Sequence, residues 1–578
     1  MIHVQLPICQ TARRQPLWAA ARVRLHKVAP GLALMLGLAG LPGGVKAQGA
    51  QAAPPALSLE AVIRQTLTQN PAILLQARQV EVARGGMQQQ AGKFDPVLQI
   101  AARRDRDQQP QNEYYRRYYT ALYGQLLGDI KALKTDTTAL SLGLEKTLRN
   151  GMVLSSGLSV TRTEGTSHDF YGWAPQNLGR VDFSLTIPLL KGRGQAAVAG
   201  EQASELEWQA SRQDQRQTVA RSVLQGVHAY WRLLAAEKSL EIARANEASI
   251  TRFLEDTRKL IAADELPAAE VNLIQARLAD RQSARIGAEQ TLLQARQALG
   301  LALGLPYGEP ITGLKVSGDF PPLPVNLPAQ IPAAAPLVEA ALAQRPDLEA
   351  ARLRQEVTRV LADAARSDLR PQLDLSLGVG YAGLSEGEKG RHYYNAFGDN
   401  TTGANGGVSL KYRWALGNNT AQGSLTQQTA LHEKASLSHY NLAREISLSV
   451  EATLAGLLRN AQQLRASESA VAIYETSLEN ERIKNRLGSA TLLDVLAVDD
   501  SLRNARLAQV NDYLNYLMAL ASLRYENGTL IQGEAAHERV DLAALLTLPP
   551  LWAVPTAATA ANPGLPGLPG LPASLGTP

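Results

Sequence analysis

The chain is written twice, and both copies carry proline punctuation at the same spacing. Asn70-Pro71 closes one apolar-periodic run and Pro96 opens an alternating one. Arg345-Pro346 and Pro371 do the same 275 residues later, with the two prolines 25 positions apart in each copy. The same offset superposes Leu67 on Leu342, Gln69 on Gln344 and Leu98 on Leu373. Further on, Ala276-Arg277-Leu278 meets Ala505-Arg506-Leu507 at an offset of 229, which puts 46 extra residues in the first copy. A duplicated helix–strand–helix unit limits the possible folds more than any single motif, because both copies must bury equivalent faces.

Leu59 to Gln90 reads as a helix, with Ser58 as N-cap and apolar residues at Leu59, Val62, Ile63, Leu67, Ile73, Leu74 and Ala77. Gln195 to about Ala263 is helical again and free of proline. At ~1.5 Å per residue it spans roughly 100 Å, a length that suits a coiled coil or long hairpin. Pro267 starts a further helix that runs to about Leu303. The second copy gives Ala334 to Ser367, Thr420 to Leu487, and Leu492 to about Tyr525. In each copy two helices of roughly 35 residues flank one of roughly 70. Stacked end to end, the short pair matches the long helix lying antiparallel beside it, which builds a wall of paired helices. Ala, Ser and Gly with scattered Leu suit such close sideways packing.

Between the helices the period switches to two. Leu140, Leu142 and Leu144 alternate with Ser141, Gly143 and Glu145. After Asn150-Gly151, the run Leu154 to Thr161 alternates too, followed by Val181, Phe183, Leu185 and Ile187. The second copy has Leu373, Leu375, Leu377 and Val379, then Val408, Leu410, Tyr412 and Trp414. A half-buried sheet on a soluble protein and a tilted membrane strand both give this pattern. No later segment is long and apolar enough to span as a helix, and a closed barrel is the other way to satisfy backbone groups in lipid. Four to six strands are too few for a single-chain barrel, so the barrel reading requires several copies, most naturally three.

Residues 1–47 read as a secretory signal peptide. The segment has a basic n-region, an apolar stretch from Val28 to Leu41 broken by Pro30, Gly31 and Gly37, and Val45-Lys46-Ala47 as cleavage site. A spanning helix needs a longer run. Arg13, Arg14, Arg22, Arg24, Lys27 and Lys46 all precede Gln48, and the first acidic residue is Glu60, so beyond this leader 52 basic residues face 53 acidic ones. Near-neutrality argues against nucleic acid as a partner. The one cysteine, Cys9, leaves with the leader, which removes disulfide and thiol chemistry.

The segment Arg486-Leu487-Gly488-Ser489-Ala490-Thr491-Leu492-Leu493-Asp494-Val495-Leu496, continuing to Leu502, Ala505 and Tyr516, resembles the second helical tip of the TolC-like outer membrane factors. Leu260 to Leu266 lies where the first tip belongs, with Glu265 opposite Asp494. Ile187-Pro188-Leu189-Leu190-Lys191-Gly192-Arg193-Gly194 and Trp414 to Asn419 resemble the family's strand-to-helix junctions. The resemblance covers about residues 57 to 530. It implies a mixed α and β membrane protein, in which a long antiparallel α-helical (coiled-coil) barrel joins a shared transmembrane β-barrel of 12 strands in a homotrimer. It also implies an equatorial belt. The expected segments are the signal peptide (1–47), repeat 1 (57–303), an equatorial linker (304–333), repeat 2 (334–530) and a C-terminal low-complexity periplasmic tail (531–578). The insert carries strand-like Thr137 to Leu148 and Met152 to Thr163 around Asn150-Gly151, a hairpin signal. It either joins the barrel or stands in an external loop, and the second is favoured.

By the same resemblance the chain is an outer-membrane exit duct of a tripartite efflux or type I secretion system, reached by a periplasmic adaptor and an inner-membrane pump or ABC transporter. A general diffusion porin and a soluble periplasmic coiled-coil scaffold are the rivals. Asp494, Asp499, Asp500 and Glu265 are candidate gate residues, because three copies of an inward carboxylate form a ring that selects cations. Leu260, Ala263, Asp264, Arg486, Leu487, Gly488 and Ser489 are candidate adaptor-docking tips. The family's gate often has Arg four residues before this Asp and Tyr nine before it. Ala490 and Asn485 stand there instead, which leaves two alternatives: Lys484 or Arg486 as the substitute, or an entrance held mainly by packing. Glu113 to Tyr119 with Tyr123 reads as an aromatic belt or external loop, an environment that also suits Tyr381, Tyr393, Tyr394 and Trp173. His432 and His439 read as surface residues. No catalytic constellation, cofactor or metal motif stands out, so an enzyme is not expected.

Overall fold

The computed structural model describes residues 56–127, 131–263, 270–323, 333–399 and 401–531, with Val540, Leu545 and Thr547. The expected leader, the tip residues Asp264, Glu265 and Pro267, and the proline-glycine tail lie outside the described residues. Helices α1 (Leu59–Gln69) and α2 (Pro71–Ala91) lead to strands. Helices α5 (Gln195–Ala262) and α6 (Glu270–Leu303) follow those strands. The same order returns with α7 (Ala334–Gln344), α8 (Pro346–Asp368), strands, α10 (Asn419–Arg486) and α11 (Leu492–Glu526).

The helices expected over 59–90 and 334–367 are each broken in two. Proline has no N–H to donate and disfavours the α region in the residue before it. Asn70 and Arg345 accordingly sit extended, at ψ 122° and 123°. Asn70 secures its break by accepting from Ala72 N at 2.9 Å and donating to the Ala302 carbonyl at 2.8 Å. Arg345 secures the other by pairing with Asp347 at 2.6 Å and with Glu526, its guanidinium over the Tyr525 ring.

Both long helices have 68 residues, and α6 and α11 have 34 and 35. They open at Gln195 and Asn419, an offset of 224. Ala-Arg-Leu lies on α6 and α11, which end at Leu303 and Glu526, an offset of 223, so the 229 register is six residues out. Helix α5 packs against α2 and α6 on one side and against α8 and α11 on the other, while α10 packs against α7, α8 and α11. Small residues set the spacing. Ala199, Ala203 and Ala210 are buried on α5, and a Cβ on Gly226 would lie 2.9 Å from Thr66 Oγ1.

The main apolar core sits at mid-height, around Val223, Leu233, Leu299, Leu457 and Leu520. There the segment after α6 crosses the wall. Leu57 bridges to Val316, Tyr230 donates to Ser317 O at 2.5 Å, and Phe320 stacks on Tyr513 with centroids 5.1 Å apart. Burial and the Glu468 carboxylate push the Tyr513 phenol up to about 12.

Six strands form one antiparallel sheet in sequence order: β1 (Val97–Pro110), β2 (Ala132–Thr147), β3 (Val153–Gly165), β4 (Gln176–Pro188), β5 (Gln372–Glu386) and β6 (Thr401–Arg413). At the end away from the long helices, α3 (Glu113–Leu127), α4 (Thr166–Tyr171) and α9 (Arg391–Asn395) link successive strands. The Asn150-Gly151 hairpin is not an external loop. Its strands are β2 and β3, fully paired between β1 and β4. Its turn lies at the helical end, where Gly194 N donates to Asn150 O at 3.2 Å and a Cβ on Gly151 (φ +90°) would strike the Gly192 carbonyl. Among the described residues the sheet therefore has six strands, two more than the four per chain of the expected 12-strand trimer.

Paired residues share a face, so the registers sort the sheet into an apolar side and a polar side. Ile100, Leu142, Leu158, Val181 and Tyr381 form one row of the apolar side, and Leu98, Leu144, Phe183 and Val379 belong to the next. This side is uncovered, with Ile100 76% and Val408 74% exposed. The other side carries Ser141, Ser159, Asp182, Ser184, Ser376 and Ser409. Among the described residues, strands β1 and β6 pair on one edge only.

Candidate functional site

The helical ends farthest from the sheet hold the candidate gate. Helix α10 closes in a Schellman motif: Gly488 adopts φ +73°, Ser489 N donates to Lys484 O at 2.9 Å and Gly488 N to Asn485 O at 3.0 Å. Only the residue after such a helix end must turn left-handed, which is why glycine stands there. Arg486, Leu487, Gly488 and Ser489 are all exposed, so this tip presents them outward. Ala263 is exposed at the first tip, whereas Asp264 and Glu265, and the Leu260 side chain, lie outside the described residues.

Asp494 does not stand as a free carboxylate. It is the third residue of a capping box at the start of α11, accepting from Thr491 N at 2.8 Å and Thr491 Oγ1 at 2.6 Å while its own N–H returns to Thr491 Oγ1. Hydrogen bonds from Thr491 hold its carboxyl below the usual range. Asn485 donates to Ala490 O at 3.0 Å and closes the turn, while Lys484 pairs with Glu481 and Arg486 with Glu479 on their own helix. The substitutes expected at the latch are thus spent locally.

The charged junction lies two turns up α11. Asp500 accepts from Arg277 on α6 at 2.6 Å and pairs with Arg281. Asp499 and Asp280 add attraction for Arg281. Burial, the largest influence, and the neighbours Arg503 and Arg277 nevertheless hold its guanidinium below the usual range. Below the junction, Ile250 and Leu254 of α5, Ile274 of α6 and Leu496 of α11 form one apolar cluster, and Leu478 of α10 packs with Val495 and Leu502 in another. All four long-hairpin helices are thereby clasped to one another near the tips. The sequence carried a signal for this site that the reading missed: Arg277, Arg281 and Arg285 recur every four residues, one stripe on α6.

His432 is half-buried rather than free on the surface, with Nδ1 3.2 Å from Thr358 Oγ1 between α8 and α10. Among the described residues no group of His, Cys, Asp and Glu is arranged to hold a metal ion, and no helix is long and apolar enough to cross a membrane. Tyr381 lies on the apolar side of the sheet, and Trp173 stacks on Tyr171 at 4.5 Å in the loop beyond α4.

Residues 337–528 match the family model described as Outer membrane efflux protein. Over 309 residues the chain is 28% identical to the Outer membrane protein TolC of Vibrio cholerae, covering 53% of this chain and 68% of that protein. Over 404 residues it is 23% identical to TolC of Escherichia coli, covering 68% and 74%. Among solved structures, the outer-membrane channel OprN superposes with a TM-score of 0.60 at 17% identity, over 82% of this chain and 90% of that one. The CmeC outer membrane channel of Campylobacter jejuni gives 0.60 at 14% identity, over 82% and 85%. Together with the long helical hairpins and the antiparallel sheet, these likenesses make the chain similar in fold to the outer-membrane channels and similar in sequence to the TolC outer membrane proteins.

Proposed function

We propose that the chain is the outer-membrane exit duct of a tripartite efflux or type I secretion system, working as a homotrimer without chemistry of its own. The observation that carries this reading is the sheet: one side is apolar and uncovered, the other small and polar, and both edges end in unpaired strands. An apolar band of strands with open edges is satisfied in lipid only when the edges close on one another. The protein resides in the outer membrane with its helices in the periplasm.

Pairing β1 of one copy with β6 of the next closes three sheets of six into eighteen strands. Barrel diameter grows roughly linearly with strand number, so the lumen is about half as wide again as in a twelve-stranded barrel. The helices point to the same assembly. Leu74, Leu75 and Ile286 on α2 and α6, and Leu437, Tyr440 and Ile473 on α10, are exposed on opposite borders of the helical wall. A rotation that brings one border to the other closes a ring of identical contacts. In this assembly Arg277, Arg281 and Asp500 form the latch that holds the periplasmic aperture shut, and the exposed Arg486 to Ser489 turn meets the adaptor, with the pump beyond.

Purified protein in detergent should be trimeric by native mass spectrometry and should form discrete channels in planar bilayers. A monomer that stays soluble without detergent would end the duct reading in favour of a scaffold.

A further inference from the structure

The apolar side of the sheet changes character abruptly toward the end away from the helices. The row Ala102, Leu140, Val160, Gly179 is followed, two residues on, by Arg104, Thr138, Arg162, Asn177, and then by Arg106, Asp136, Glu164. At ~3.3 Å per residue the charge begins within about 7 Å of the last apolar row. Lys134, opposite Gln108, lies one step further on the same face. Two of these cations are committed. Arg106 is bidentate to Asp136 at 2.6 and 2.7 Å. Arg162 holds Glu164 at 2.7 Å and donates to Glu388 O at 2.8 Å. Arg104 and Lys134 are exposed and form no salt bridge among the described residues, though both add attraction for the Asp136 carboxylate.

We propose that Arg104 and Lys134 form a binding site for the phosphorylated headgroups of the outer leaflet, framed by the Arg106–Asp136 and Arg162–Glu164 pairs. The inference rests on the reading that the apolar side meets lipid. Given that reading, depth decides the ligand: these side chains sit where acyl chains end and headgroups begin. A guanidinium grips phosphate bidentately, and an ammonium adds a point charge. The Asp136 carboxylate, in the row between Arg104 and Lys134, is already bonded to Arg106 at both oxygens. The Tyr171–Trp173 stack, exposed in the neighbouring β3–β4 loop, suits the same interface.

The test uses the full-length channel in neutral detergent, with a diphosphorylated glucosamine lipid and its dephosphorylated counterpart as probes, read by native mass spectrometry. A basic side chain at a lipid surface is worth about fivefold in affinity, so Arg104→Gln with Lys134→Gln should weaken the phosphorylated lipid about 30-fold. Arg103→Gln, on the polar side of the same strand and paired with Asp105, should change nothing. Exchanging the charges as Arg104→Lys with Lys134→Arg should retain binding. Equal affinity of the double Gln variant and the wild type, or equal affinity for the two lipids, would overturn the proposal. So would displacement of the lipid by inorganic phosphate at matched concentration. Conductance of every variant in phosphatidylcholine bilayers reports separately on the duct. Its loss in the wild type would sink the duct reading, whereas unchanged conductance with unchanged lipid affinity in the double variant would sink only the lipid site.

Discussion

Replacing Asp500 with Asn should open the periplasmic aperture. The carboxylate joins α11 to Arg277 and Arg281 on α6, with side chains 31%, 26% and 10% exposed. Charge-assisted hydrogen bonds are worth about 1.5–3 kcal/mol each, and partial exposure to water lowers this, so about 1–2 kcal/mol per copy is lost on neutralisation. Repulsion among Arg277, Arg281 and Arg503, now without their shared counter-charge, acts in the same direction. In a trimer the closed state then loses about 3–6 kcal/mol, and at about 1.4 kcal/mol per decade its advantage falls about a hundredfold to ten-thousandfold. Single-channel recording in planar bilayers measures this directly, as longer open times and a larger mean conductance. Arg277→Gln should give a smaller effect, because Arg281 still holds the carboxylate, and the two changes combined should be less than additive. An Asp500→Asn channel with wild-type gating, or strict additivity of the pair, would remove the junction from the gate.

Thr491→Ala should cost about 1 kcal/mol through loss of the cap on α11, visible as faster amide exchange in the first turn and little change in ion selectivity. The Asp494 carboxyl sits below its ordinary range when folded, so its share of the cap is present above the unfolded carboxylate value. That share should fade as pH falls through the lower, folded value; tip exchange rates flat between pH 5 and pH 2 would contradict this. Phe183→Lys, on the apolar side of β4, should cost about 2–4 kcal/mol in vesicle refolding if it lies near the bilayer centre, whereas Ser184→Lys on the other side should be nearly neutral. Cysteines placed along β1 at Ala102 and along β6 from Gly403 to Val408 should cross-link between copies in at least one pairing. The sole native cysteine is Cys9, so absence of any cross-linked trimer would exclude the β1–β6 seam.

What the sequence made legible followed from period. The proline-free runs became α5 and α10 within a residue or two of their expected ends, because nothing in them interrupts a 3.6-residue repeat. The alternating leucines of β2 to β5 revealed the strands. The failures have equally local causes. Charge hid the outer half of β1: Arg103 to Asp107 alternates no hydrophobicity, yet it pairs along its whole length with β2. Asn150-Gly151 signals the hairpin but not its place in the sheet, since alternation fixes which faces a strand has and not which strands adjoin it. At the tip, Asp494 was singled out by its motif, while its engagement with Thr491 was written three residues away as an ordinary cap. The Arg277–Asp500 junction joins residues 223 positions apart, a distance over which composition is silent.

The seam between β4 and β5 has a consequence for how the chain is made. Pro188, the last residue of β4, lies opposite Asp374, so this join waits for 186 further residues to be synthesised and exported. Until then β1 to β4 form a meander whose apolar side has neither lipid nor partner, and closing so long a loop is slow. Such an intermediate is prone to aggregate. Its survival calls for a holding factor that shields the leucine-rich strands until the second half arrives.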